Sequence, residues 1–299
     1  MRAIVTGGAG FIGSHLVEAL LERGDDVLVL DNLARGKREQ VPAGAELLEL
    51  DVREPLAEPF ARFRPEVCFH LAAQADVRVS VSRPAEDASV NVLGSVQVLQ
   101  ATQEQGAKLV FSSTGGAIYG ECERPAREND PLEPISPYGA AKLAAETYVG
   151  TWNRLHGGGH TSLRYANVYG PRQEAGLEGG VVAIFFERMR SGEPATIYGH
   201  GRQTRDFVHV ADIVAATLSA VEAEGVFNIG SGVETSVLEL HELCRRASGT
   251  ESEPEFAPER LGEIQRSVLD PNLAARELQW TPSLTLEEGL RQTWEREGS

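Results

Sequence analysis

VTGGAGFIGSHLVEALLERG, residues 5–24, follows a short apolar strand and sets Gly7, Gly10 and Gly13 three residues apart at the turn into a helix. Each glycine has a physical task in such a turn. One supplies positive φ at the bend, one lets backbone N–H groups approach a pyrophosphate, and one lets helix pack closely on strand. The helix then points unpaired N–H groups and the positive end of its dipole at the turn, where negative charge is favoured. The spacing predicts a dinucleotide-phosphate cradle. Asp31, at the end of the next strand (27–30), stands where a carboxylate meets an adenosine ribose. A carboxylate there accepts ribose hydroxyls and repels a 2′-phosphate, which favours NAD over NADP; Arg35, Lys37 and Arg38 just beyond it argue the other way.

Outward from this stretch, apolar strands at 3–6, 27–31, 45–49, 67–71, 108–112 and 161–164 alternate with helical segments. Such alternation predicts right-handed βαβ units and an α/β fold, a Rossmann-type doubly wound parallel sheet. Ligands of open parallel sheets lie beyond the C-terminal strand ends, so Gly7, Asp31, Asp51, Ala72, Ser112 and Arg164 should ring one crevice. A long helix is expected over 84–105. Past Arg164 the composition shifts, so a cofactor domain at 1–165 and a smaller C-terminal α/β substrate domain at 166–299 are expected, with some segments of the second returning to the first. There the pattern predicts a helix over 180–192, a strand at 226–229, a capping box of Ser236 and Glu239 opening a helix to about 247, and another helix from Pro271. The Pro- and Glu-rich run 251–260 reads as a surface loop.

Composition bounds the function. The chain has 299 residues, 41% hydrophobic and 24% charged, which is ordinary for a globular protein. A net charge of −16 excludes a nucleic-acid surface, which needs a basic face, and requires any anionic ligand to be met by a local cluster of arginines. Cys68, Cys122 and Cys244 are too few and scattered for a disulfide framework or a metal knot, so no metal is expected and a reducing compartment is. A strand beginning at Ala3 leaves no room for a signal peptide, and no apolar run reaches membrane-spanning length, so a cytoplasmic protein with no membrane partner is expected. Cys68 and His70 fall in an apolar strand and read as core residues. Asp51 reads equally as an adenine contact or a surface turn.

The chemistry lies between Phe111 and Lys142. FSST ends a strand with the hydroxyls Ser112, Ser113 and Thr114. In SPYGAAK, Ser136 suits an N-cap and Pro137 the first helical position, which sets Tyr138 and Lys142 at i and i+4 on one face. An ammonium and a helix N-terminus both favour a phenolate. An ordinary phenol titrates near ~10, so a base useful at neutral pH needs roughly 3–4 kcal/mol from Lys142, the helix and a cationic nicotinamide.

TGGAGFIGSH, DNL, LAAQA, FSSTGGAIYG, SPYGAAK and LRYANVYGPR together resemble the extended short-chain dehydrogenase/reductase superfamily, and within its NAD-dependent epimerases and dehydratases most closely the UDP-glucose (UDP-galactose) 4-epimerases. The resemblance covers nearly the whole chain, including QTRDFVHVADI, FNIGSG and ERLGEIQRSVLD. It implies catalysis by Thr114, Tyr138 and Lys142. It implies NAD held by Gly7, Gly10, Phe11, Ile12, Gly13, Asp31, Asn32, Asp51, Val52, Leu71, Ala72, Ala73, Asn91, Tyr138 and Lys142. A UDP-sugar would be held by Thr114, Tyr138, Asn167, Val182, Arg205, Arg260, Glu263 and Ser267, the arginines being those the acidic charge demanded. It also implies a homodimer built on the helices at 84–105 and 137–155. The reaction expected is 4-epimerisation of a UDP-hexose through a 4-keto sugar. A sugar-nucleotide 4,6-dehydratase is the nearest rival, but the acidic pair that follows the threonine in those enzymes is replaced here by Gly115 and Gly116. A decarboxylase lacks support for the same reason, and a non-catalytic NAD-binding sensor or scaffold would have no need of all three catalytic residues. Ser267 aligns with the position where a bulky tyrosine restricts such epimerases to plain hexoses, so UDP-GlcNAc and UDP-GalNAc are expected to fit.

Overall fold

The computed structural model describes residues 1–176, 180–259 and 264–297. Its strands are β1 (Arg2–Thr6), β2 (Asp26–Asp31), β3 (Glu46–Glu49), β4 (Val67–His70), β5 (Lys108–Thr114), β6 (Thr161–Tyr165), β7 (Asn167–Tyr169), β8 (Thr196–Tyr198), β9 (Thr204–His209), β10 (Gly225–Ile229), β11 (Glu234–Ser236), β12 (Glu255–Ala257) and β13 (Arg266–Ser267). Seven of them form one parallel sheet in the order β10-β6-β5-β4-β1-β2-β3. The doubly wound fold read from the sequence is therefore present.

The period of two within each strand explains the layers. Ala3, Val5, Val27, Val29 and Phe69 face one way, into a core with Leu16 and Leu20 of the Phe11–Glu22 helix and Ile213 and Ala216 of the Val210–Ser219 helix. Ile4, Leu28, Leu30, Cys68, Leu109 and Phe111 face the other way, onto Phe60, Val98, Leu99, Ala145 and Val149. With both faces covered, the strands become the continuous apolar runs seen in the sequence. The winding direction reverses between β1 and β4. There the two strand ends lie so close that a Cβ on Gly7 would stand 2.6 Å from the Ala72 amide nitrogen.

Three local features differ from the sequence reading, and one later strand returns to the large sheet as that reading expects. The helix expected over 84–105 is continuous in course but not in pitch: Pro84–Ala88 and Ser95–Glu104 are α-helical, and Ser89–Gly94 between them is a π turn. The widened turn brings Asn91 inward, where its amide donates to the Gln74 carbonyl at 2.8 Å and to Asp87 at 2.9 Å. The run 251–260 is not wholly loop. Glu255–Ala257 pairs in parallel with β8, a strand that Pro254 and Pro258 confine to three residues. The strand expected near 226–229 joins the large sheet as its edge, beside β6. Finally, β9 gathers β7, β11 and β13 around itself in a small second sheet whose strands are too short to show a period. This sheet and the Val181–Ser191 and Val237–Ser248 helices enclose a separate core of Tyr169, Val182, Phe185, Phe186, Ile197, Phe207, Leu240 and Leu290.

Beneath the end of β5 lies a buried ionic network. The Arg164 guanidinium on β6 is bidentate to Glu146, with Nη2 at 2.5 Å and Nε at 3.1–3.2 Å from its carboxylate oxygens. Nη1 donates to the Tyr119 hydroxyl at 2.6 Å and to the Glu128 carbonyl at 2.9 Å. Tyr119 in turn donates to Asn228 Oδ1 on β10 at 2.8 Å, and Ser113 on β5 donates to Glu146 Oε2 at 2.7 Å. Removing one partner of a buried pair leaves an uncompensated charge. Arg164→Ala should therefore lower unfolding stability by about 3–5 kcal/mol in denaturant titrations. A loss below about 1 kcal/mol would show that the network is dispensable.

Candidate active site

The glycine turn comes first because everything else is placed relative to it. Gly7 has φ +73°, and a Cβ on Gly13 would lie 2.1 Å from the Gly7 carbonyl oxygen. Neither position tolerates a side chain. Gly10 caps the Phe11–Glu22 helix with no side-chain hydrogen bond, and the first turn carries no acidic residue. The free N–H groups of that turn are thus open to an anion.

Beside the turn runs a cleft of about 500 Å³. Of the residues expected to hold a dinucleotide, Gly7, Gly10, Phe11, Asp31, Asn32, Asp51, Val52, Leu71, Ala72 and Ala73 line it. Ile12, Gly13 and Asn91 do not, and act from behind: Gly13 sets the turn, and Asn91 accepts the Gln74 amide N–H at 3.0 Å and so shapes the cleft wall. The Asp31 carboxylate is held by the amides of Ala9 at 3.0 Å and Leu33 at 2.9 Å. The turn role read for Asp51 is present, and its place in the cleft leaves the adenine contact open. It faces the cleft, and it is a turn residue whose carboxyl Arg53 and Asn32 hold well below the usual carboxylate range.

The three basic residues after Asp31 are already committed to carboxylates. Arg35 reaches Asp76 at 3.4 Å, Lys37 reaches Glu174 at 2.7 Å and Arg38 reaches Glu49 at 2.7 Å. None of these three is left as a dedicated partner for a 2′-phosphate, so the conflict in the sequence resolves toward NAD.

The reacting groups form a second cluster, outside the lining of that cleft. Thr114 ends β5 and heads the Gly115–Ile118 helix without using its hydroxyl as a cap. Ser136 caps the Pro137–His156 helix, accepting the Gly139 N–H at 3.1 Å, with Pro137 at the first position as expected. This presents Tyr138 to Thr114, whose hydroxyl lies near enough to favour the phenolate. One turn on, Lys142 is buried; its Nζ donates to the Ser112 carbonyl at 2.7 Å and lies 4.8 Å from the centre of the Phe111 ring.

Burial pushes the Tyr138 phenol up to about 12, with Asp87 adding to the rise and Thr114 opposing it. Burial also brings the Lys142 ammonium down to about 8, against the pull of Asp87. In the cofactor-free chain desolvation dominates both groups, so the shift expected from Lys142, the helix terminus and a cationic nicotinamide together has a larger gap to close. More help is needed from the helix terminus and a positive ring than for an ordinary phenol.

The substrate candidates divide. Asn167 begins β7 beside the catalytic strand, its Oδ1 within 3.5 Å of where a Gly116 Cβ would be. Arg205 on β9 and Ser267 on β13 are register partners, which the sequence distance between them hid. Val182 has its side chain in the apolar core, so any ligand contact falls to its backbone at the first turn of its helix. Arg260 and Glu263 lie outside the described residues. His70 is a core residue, hydrogen-bonded by Thr6 at 2.7 Å and Ser95 at 2.9 Å, and burial brings it down to about 3. Cys68 is likewise buried and inert, pushed up to about 12. Gln74 and Asp87 had no signal in the sequence, because they meet through Asn91 of the π turn, and Asp76 was not singled out although it caps the helix after it.

The profile of the NAD dependent epimerase/dehydratase family matches residues 3–230. The chain belongs to this family. It is 43% identical to the UDP-glucose 4-epimerase of Mycolicibacterium smegmatis, the match covering 99% of this chain and 98% of the relative. Among solved structures it resembles the UDP-glucose 4-epimerase of Thermotoga maritima, determined with UDP-glucose, at a TM-score of 0.97 and 47% identity over 100% of this chain and 99% of that one. It also resembles the Thermus thermophilus UDP-glucose 4-epimerase, determined with NAD, at a TM-score of 0.93 and 46% identity over 99% and 98%. The glycine cradle, the open helix terminus and the ribose-facing Asp31 of this family member fit NAD. Among the described residues no helix is long and apolar enough to cross a membrane, and no group of three or more His, Cys, Asp or Glu residues could hold a metal ion.

Proposed function

We propose that this chain is an NAD-dependent UDP-hexose 4-epimerase acting on UDP-glucose and UDP-galactose through a transient 4-keto sugar. The observation that carries this reading is Tyr138, beside Thr114 and one turn from a buried Lys142, with Gly115 and Gly116 rather than acids in the two positions after Thr114. A dehydratase needs an acid and a base there. A Cβ on Gly115 would stand 2.5 Å from Leu269 Cδ1, so a side chain there would require that buried leucine to move. The full-length likeness to UDP-glucose 4-epimerases supports the same choice.

When bound, NAD supplies the reversible oxidant at C4 of the sugar, so the turnover has no net redox change. Tyr138 takes the proton of the 4-hydroxyl and later returns it. Thr114 holds the same oxygen in place. Lys142, fixed by the Ser112 carbonyl, sets the charge beside the phenol. Between the two proton transfers the sugar is a ketone that must present its other face, so the sugar itself is gripped weakly. Asn167, Arg205 and Arg260 hold the nucleotide diphosphate instead, and that remote binding energy orients the reacting centre. Glu263 completes the set assigned to substrate.

We assign the wider substrate range to Ser267, a small residue beside Arg205, and a dimer to the exposed apolar side chains Leu93, Tyr148 and Leu155 on the helices at 84–105 and 137–155. The free thiols Cys68, Cys122 and Cys244 suit a reducing compartment such as the cytoplasm.

Purified protein should convert UDP-galactose to UDP-glucose with no NAD added, read by chromatography of the products. Tyr138→Phe should fold and bind NAD yet lose about 10²–10⁴-fold in rate. Normal turnover by that variant would remove Tyr138 as the base. Ser267→Tyr should cut turnover of UDP-GlcNAc relative to UDP-glucose by roughly 10-fold or more, the scale of a filled pocket; an unchanged ratio would withdraw Ser267 as the gate. Sedimentation at micromolar concentration should give a dimer, and a monomer would refute the assigned helix surface.

A further inference from the structure

Asp87, on the Pro84–Ala88 helix, is 1% exposed and belongs to none of the roles assigned above. Its Oδ1 accepts Gln74 Nε2 at 2.8 Å and Asn91 Nδ2 at 2.9 Å. Its Oδ2 is enclosed and has no hydrogen-bond partner. An enclosed carboxylate with half its acceptor capacity unused is costly unless a positive charge lies within reach.

The element carrying Asp87 and the π turn after it both pack against the Pro137–His156 helix, which carries Tyr138 and Lys142. Lys142 is 2% exposed and its ammonium meets a neutral carbonyl and a ring face. Other ionisable groups near the two are already engaged. Glu146, one turn beyond Lys142, is taken up by Arg164. His70 is neutral between Thr6 and Ser95. Arg83 and Glu86, flanking Asp87 on its own segment, pair with each other at 2.7 Å. Asp76, at the head of the preceding helix, is capped by the amides of Arg78 and Val79 and met by Arg35.

We propose that Asp87 is the buried counter-ion of Lys142, a positioning residue that sets the charge state of the Tyr138–Lys142 pair without touching substrate. The proposal rests on the reading of Tyr138 and Lys142 as the proton-transfer pair. A negative charge at 87 raises the proton affinity of both groups, and it is the carboxylate whose field acts on each. The ammonium is thereby kept charged in a dry site. The phenol is also kept protonated, which leaves the base silent until positive charge is added beside it. Lys142 in turn favours the ionised Asp87 against a burial that pushes its carboxyl up.

Because Oδ1 takes both hydrogen bonds and Oδ2 takes none, Asp87→Asn removes the charge and leaves those two bonds available. In the holoenzyme the active form pairs an ionised phenol with a charged ammonium, so the pH profile of activity is a bell whose two limbs belong to the coupled pair. Without Asp87 both groups release protons more readily. Both limbs of the kcat/KM profile of Asp87→Asn should therefore move to lower pH together, by about half a pH unit or more, with the pair titrating as a coupled system. Asp87→Glu should restore them. A variant with reduced activity or melting temperature but unmoved limbs would reduce Asp87 to a structural part and overturn the proposal.

A second measurement is independent of both the variant's folding and turnover. The carboxyl ¹³C resonance of Asp87 in the wild-type protein should show an inflection near pH 8, where Lys142 titrates, and lose it in Lys142→Met. An Asp87 resonance that is flat through that range would also overturn the proposal. Failure of Tyr138 as the base would appear in Tyr138→Phe turnover and leave this coupling intact.

Discussion

The Arg164 guanidinium is enclosed where β5, β6, β10 and the Pro137–His156 helix meet, and its pairing with Glu146 is what allows them to meet there. Taking both charges out of water costs several kcal/mol each, so the geometry survives only because nearly every donor is answered. Ser113 answers the carboxylate from β5, and Tyr119 and the Glu128 carbonyl answer the guanidinium. Ser113 precedes Thr114, and Glu146 lies one helical turn beyond Lys142. The network thus ties the strand bearing the hydroxyl to the helix bearing the phenol and the ammonium. Its apolar alternatives would pack as well but would not specify the register between strand and helix.

Two clusters share the C-terminal edge of the large sheet and divide the work. At the β1–β4 switch the glycine turn, the open helix terminus and Asp31 offer backbone amides and a carboxylate, which suit phosphates and ribose. At the end of β5 Lys142 is buried and Tyr138 half-buried, and their proton affinities are displaced in opposite directions, Tyr138 upward and Lys142 downward. In the function proposed above, the first cluster binds and the second transfers the proton. The segment running from Gln74 through Asp87 to Asn91 connects them, since it walls the cleft on one side and packs on the catalytic helix on the other.

Acidity and the binding of an anionic substrate are compatible because the positive groups are local. Most of the described arginines on the surface are neutralised by neighbouring carboxylates, as Arg35, Arg38, Arg53 and Arg124 are. Arg205 sits on the central strand of the small sheet beside the buried Ser267. The net charge of −16 therefore describes the solvated exterior and says little about the site.

The large sheet, its two covered faces, the glycine turn, the capped Pro137–His156 helix and the Thr114, Tyr138 and Lys142 grouping were legible in the sequence. Their signals are local: apolar runs of fixed length, glycine spacing, a Ser-Pro cap and an i,i+4 pair need only a few neighbouring residues. What tertiary structure decided is everything that depends on separation in the chain. The pairing of Arg205 with Ser267, the Arg164–Glu146 network and the strand at Glu255–Ala257 join residues that carry no mark of one another. The π turn at Ser89–Gly94 is a change of pitch inside a helical pattern, and it carries Asn91, whose amide meets Asp87 on the preceding turn. The proton affinities followed the same division. A phenol beside an ammonium was visible in SPYGAAK, but the desolvation and the Asp87 charge that outweigh it exist only once the chain has closed around them.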